Sequence, residues 1–144
     1  MSILNEKTSS ASSIRWFSLA LQALLIMADN EGLCPSARLA DKIGSESGFL
    51  RKILRNLVKE GLVQAKEGRD GGYFLAKPPE DIRLSDVYAG MRAEPFSKGF
   101  LDVSSKECFE PCTRSALSGL KNEMEQWILN GLEEKTLKDL MGKK

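Results

Sequence analysis

The residues best placed to do chemistry are cations. Between Gly48 and Lys59 the chain carries Arg51, Lys52, Arg55 and Lys59 and no acid. Arginine and lysine at helical spacing suit an array of phosphates, which position a partner. An arginine near a helix start also suits the O6/N7 edge of guanine, which specifies one. A solvated helix face is the plain alternative for the same residues. The whole 144-residue chain has a formal net charge of only +1, so any such patch is local. The chain contains no histidine. That removes imidazole acid–base catalysis, Ser-His-Asp and Cys-His nucleophile arrangements, and His-ligated zinc, and the chain reads as a non-enzyme.

The second reactive group is sulfur. Cys34, Cys108 and Cys112 make an odd count with sparse spacing, which is no disulfide framework. Cys108 and Cys112, separated by Phe109, Glu110 and Pro111, sit close enough in a loop for a thiol–disulfide switch. Lys106 and Arg114 flank them. Structural cysteines are the competing reading. Cys34, just before Pro35, reads as a packing residue.

These residues need a scaffold, and the hydropathy pattern supplies one. The first ten residues read as polar and frayed, with Ser12 or Ser13 capping a helix that closes at Gly32. Its apolar segment from Trp16 to Ala28 covers nearly the whole circumference, which predicts burial on more than one side. Thirteen such residues are too few to span a bilayer, which takes about twenty, and a cytoplasmic location is expected. A short helix from Pro35 ends at Gly44. A third, from Ser45 or Glu46 to Glu60, places Leu50, Ile53, Leu54, Leu57 and Val58 on one face and the four cations on the other. Two extended runs, 62–66 and 73–76, flank the glycine-rich tip 67–72 and predict a hairpin, stopped by Pro78-Pro79.

A short helix follows at 84–91, with Leu84, Val87, Tyr88 and Met91 inward. No period is visible from 92 to 111. From Thr113, Leu117, Leu120, Met124, Trp127 and Ile128 form a continuous apolar stripe, interrupted near Gly131 and resumed through Leu137 and Leu140. The expected fold is mainly α with a small β-hairpin, a winged helix-turn-helix plus a long C-terminal helix. Residues 1–80 would form the DNA-binding unit. Residues 81–144 would carry the linker helix, the cysteine loop and the long amphipathic helix.

Helix-turn-helix units put the second helix of the pair in the major groove, N-terminal residues first. Here that end offers Ser45, Ser47, Gly48, Phe49, Arg51 and Lys52, with Arg55 and Lys59 toward phosphate. Ser36 and Ser45 offer hydroxyls or helix-start amides to phosphates. In the wing, Lys66 and Arg69 favour an adjacent minor groove while Glu67 and Asp70 oppose it. A winged-helix module for protein assembly is the alternative use of the same fold.

Gly61-Leu62-Val63, then Gly71-Gly72-Tyr73-Phe74-Leu75-Ala76, Pro79-Glu80-Asp81-Ile82 and Leu84-Ser85-Asp86-Val87 together resemble the Rrf-type bacterial transcription regulators. The resemblance covers residues 12–90 closely and the C-terminal helix in type and position. It implies a homodimer on a partly palindromic operator in double-stranded DNA, acting as a repressor or an activator, with the helix from Thr113 as the dimer contact. Relatives often carry arginine before the first wing glycine, where this chain has Glu67. Cluster-binding relatives carry three cysteines in the loop before the dimerisation helix, where this chain has Cys108 and Cys112. An iron–sulfur cofactor, a thiol switch, a metal or a small molecule all stay open as the signal.

Overall fold

The computed structural model describes residues 2–92 and 99–142, with side chains from residue 14 onward. Helix α1 runs from Ser2 to Asp29, so Ser12 and Ser13 lie inside it and do not cap it. Helix propensity continues through the polar lead-in because residues 2–12 contain neither proline nor glycine. Leu19, Ala20, Ala23, Leu24 and Met27 are buried, and Trp16, Phe17, Leu21, Leu25 and Ile26 pack around them. This is the many-sided burial its hydropathy predicts.

Helix α2 (Ser36–Ile43) ends at Gly44, whose φ of 78° places it in the left-handed region and lets its N–H return to the Ala40 carbonyl at 2.8 Å. Three residues later α3 (Ser47–Lys59) begins, capped from Glu46 without a side-chain hydrogen bond. Leu39 from α2 and Leu50, Ile53, Leu54 and Leu57 from α3 are fully buried. Each such side chain contributes about 1.5–3 kcal/mol relative to an exposed one. Burying the apolar stripe on α1 fixes which face of α3 is left outside.

Strands β1 (Val63–Lys66) and β2 (Gly72–Leu75) pair antiparallel, Val63 opposite Leu75 and Lys66 opposite Gly72. The wing is anchored by a further bridge. Cys34 and Tyr73 exchange both backbone hydrogen bonds at 2.9 Å. Cys34 is wholly buried, in keeping with its reading as a packing residue. Burial pushes its thiol pKa up, against smaller opposing effects of Arg38 and Lys42.

A 3₁₀ turn at Pro79–Asp81 leads to α4 (Leu84–Gly90), where Leu84, Val87 and Tyr88 turn inward with Met91 just beyond. Tyr88 meets Phe17 of α1 edge-on, ring centroids 5.3 Å apart. Asn56 of α3 donates to the Gly90 carbonyl at 2.6 Å, clamping α3 to the end of α4.

Helix α5 spans Pro111–Glu133, two residues earlier than Thr113, because Pro111 starts a helix well at its first position. It runs through Gly131 without the expected interruption, since one glycine costs a helix only about 1 kcal/mol. Helix α6 (Leu137–Leu140) opens with a reciprocal cap between Thr136 and Asp139 and drives Leu137 into the core. Leu137 N–H also donates to the Ile82 carbonyl at 2.8 Å. No helix among the described residues is long and apolar enough to cross a membrane.

Candidate nucleic-acid interface

The outward face of α3 is built by subtraction. Leu50, Ile53, Leu54 and Leu57 are consumed by packing, Val58 stays 37% exposed against expectation, and Ser47, Gly48, Arg51, Lys52, Arg55 and Lys59 are all left exposed. None of the four cations forms an ion pair with an acid among the described residues. The ion pair seen there, Arg83 to Glu133 at 3.7 Å, is remote and solvent-exposed. Unpaired cations on a rigid helix keep their charge available to a polyanion.

Phe49, one of the expected contact residues, also has a packing role. Its ring is half-buried, edge-on to Trp16 with centroids 5.7 Å apart, and the Arg15 guanidinium lies 6.0 Å from its centre. That ring contact sets the start of α3 against α1, while the rest of the half-buried Phe49 side chain stays at the edge of this face. The same contact brings forward Arg15, which sequence reasoning missed. It lines a shallow cleft of about 310 Å³ with Gly44, Ser45, Glu46 and Phe49, beside the start of α3. Its only sequence signal is a lone cation at the front of an apolar helix segment.

Ser45 is half-buried, its hydroxyl toward the Glu46 carbonyl at 3.4 Å. Ser36 and Lys66 line one cleft of about 380 Å³ between the start of α2 and the wing, with Glu67 and Gly68. Arg69 is exposed at the wing tip beside Asp70. The glycines behind that tip are there for space. A Cβ on Gly71 would run into the Lys66 carbonyl oxygen, and one on Gly72 would stand 2.9 Å from the Cys34 backbone.

The two other sequence-predicted sites lie outside this face. Cys108 sits in the turn before α5 and Cys112 in its first turn, both exposed. The Arg114 guanidinium donates to the Ser104 carbonyl at 3.1 Å, folding the loop onto the helix start. Among the described residues no three Cys, Asp or Glu side chains converge as a metal site. Among the described residues of one chain, Cys108 and Cys112 by themselves fall short of the four ligands an iron–sulfur cluster takes. On α5, Leu117, Met124 and Ile128 are half-buried, Leu120 is 37% exposed and Trp127 61%. No residue of this 23-residue helix is buried.

A family model described as Rrf2, an iron-dependent transcriptional regulator, matches residues 15–143. An rrf2-like HTH-type transcriptional regulator of Rhodobacter capsulatus is 36% identical over 98 residues, covering 65% of this chain. The match spans 63% of that relative, under two thirds of its length. The NsrR regulator of Shouchella clausii is 29% identical over 132 residues, 87% of this chain and 83% of its own. Among solved structures, T. potens IscR is 25% identical with a TM-score of 0.64, covering 87% of this chain and 82% of its own. Staphylococcus aureus CymR, 22% identical with a TM-score of 0.69 over 90% and 98% of the two chains, shares the fold.

Proposed function

The chain belongs to the Rrf2 family of transcriptional regulators, and on that premise we propose that it binds operator DNA as a homodimer and represses transcription in the cytoplasm. The single observation that carries this reading is the exposed, unpaired cationic face of α3 above a fully apolar underside. In it, Arg51 or Lys52 reads guanine edges in the major groove. Arg55, Lys59 and Arg15 hold phosphates, joined by Ser36, Ser45 and Lys66, while Ser47 and Gly48 let the helix start approach the bases closely. Arg69 serves the minor groove from the wing. Residues 1–80 act as the DNA-binding unit, and residues 81–144 pair the two copies.

Pairing is supported by α5, whose apolar stripe finds too little cover among the described residues. Two-fold symmetry would set two α3 helices about one DNA turn apart, roughly 34–36 Å. For signal reception we propose the Cys108 and Cys112 thiols. Both are exposed and stand at the junction of loop and dimer helix, so a disulfide between them would alter the start of α5.

The test is retention of a duplex selected from genomic fragments, measured against salt. Each phosphate neutralised contributes about 0.9 to the negative slope of log affinity on log salt. A steep linear decline is expected, and a flat response would favour a protein-assembly module instead.

A further inference from the structure

Arg92 has a backbone conformation that needs a reason. Its φ is 51°, the left-handed region that a non-glycine residue seldom adopts, and its N–H is held by the Ala89 carbonyl at 3.0 Å. The residue lies just past α4 and lines a cleft of about 510 Å³ with Trp16, Lys52, Arg55 and Lys59. Lys52, Arg55 and Lys59 recur at steps of three and four along α3, so they form one flank of that helix, whereas Arg51 is outside the lining. Four cations thus converge from two elements on one concavity. Among the described residues none of them has an ion pair. The acid in the lining is Glu60, whose stem is laid over Gly90, with Cγ 2.9 Å from where a Cβ would stand there. The indole Nε1 of Trp16, also in the wall, is buried with no hydrogen-bond partner among the described residues.

Gathering like charges in a concavity costs free energy unless an anion offsets it, and a strained arginine adds to that cost. The volume falls within the range of small-molecule sites, about 300–1,000 Å³. We propose that this cleft between α1, α3 and the end of α4 binds a small multivalent anion of the diphosphate or tricarboxylate type. An anion seated there holds Lys52, Arg55 and Lys59, three of the cations assigned to the duplex, and so competes with DNA. Only this competition rests on the DNA-binding reading; anion binding itself does not.

The experiment is calorimetric titration of the full-length protein, without DNA, with inorganic pyrophosphate and separately with citrate, at matched ionic strength. One saturable site per chain is expected for at least one of the two probes, and which one saturates assigns the ligand class. Arg92→Asn keeps a residue that tolerates the left-handed backbone while removing the charge, and Lys59→Gln removes another. Each should weaken binding at least about tenfold, while Lys135→Gln, an equal charge change elsewhere, leaves it within about twofold. In the amide spectrum one of the two indole N–H signals should move with saturation, the one that remains in Trp127→Phe. Absence of saturable binding by both probes overturns the proposal. So does equal weakening by Lys135→Gln, which would mean diffuse charge attraction. If neither probe binds yet Arg92→Asn lowers duplex affinity, the cleft is a seat for backbone phosphate, and the proposal is again overturned. Failure of DNA retention with intact anion binding would remove the competition and leave the site.

Discussion

Arg51 is the side chain on α3 with the most freedom to discriminate, being exposed, unpaired and outside both flanking clefts. Arg51→Ala should lower affinity for the selected duplex by about 1–3 kcal/mol in a fluorescence anisotropy titration and relax base preference at one position. A uniform loss across all sequences would reassign it to phosphate. The three cysteines should separate by reactivity. Cys108 and Cys112 are open to alkylation by a maleimide in the native state, whereas Cys34 should react only on unfolding. Cys34 also gives stability a pH sign. Its thiol pKa is raised on folding from an ordinary value of 9.0, so below that pH both states hold the proton and nothing changes. Above it the unfolded chain deprotonates first, and stability falls as pH rises toward the folded value. Thermal melts from pH 8 to 10 check this against Cys34→Ala, which should flatten the trend.

At the scale of elements, the wing shows why a pair of glycines is needed before Tyr73. Gly71→Ala would press a methyl into the Lys66 carbonyl, and Gly72→Ala into the Cys34 backbone. Gly71→Ala should therefore shift the hairpin tip, weaken DNA retention and leave far-ultraviolet dichroism, dominated by helix, nearly unchanged. Both glycines, the inward residues of α4 and, to within one residue, the hairpin limits were legible in the sequence, because turn chemistry and apolar periodicity are local properties. The start of α1 was not. Serines that cap well elsewhere are overridden when no breaker precedes them, so Ser12 and Ser13 sit in mid-helix. The packing role of Phe49 was not legible either, for a different reason. Its position on α3 is set by sequence, but its neighbours Trp16 and Arg15 come from a helix about 33 residues earlier in the chain.

At the scale of the molecule, α5 is a long helix that, among the described residues, packs chiefly against α4 and leaves an apolar stripe open on the other side. Trp127 at 61% exposure is far from what a large aromatic adopts in a finished core. If the stripe pairs two copies, Leu120→Asp should convert the dimer to a monomer by light scattering. Operator affinity should then fall together with the loss of half-site cooperation. A monomer in the unmodified protein would sink this reading of the stripe.

What the sequence determined by itself was the order and polarity of the elements: helix, short helix, tight turn, cationic helix, glycine-tipped hairpin and a long amphipathic helix. Periodicity, glycine and proline act over a few residues, and so they can be read along the chain. Only the tertiary structure decided which cations share a cleft, that Arg92 swings back toward α3, that Phe49 faces α1, and that Cys34 anchors the wing. Those facts depend on burial and on contacts between residues distant in sequence, and no local pattern records them.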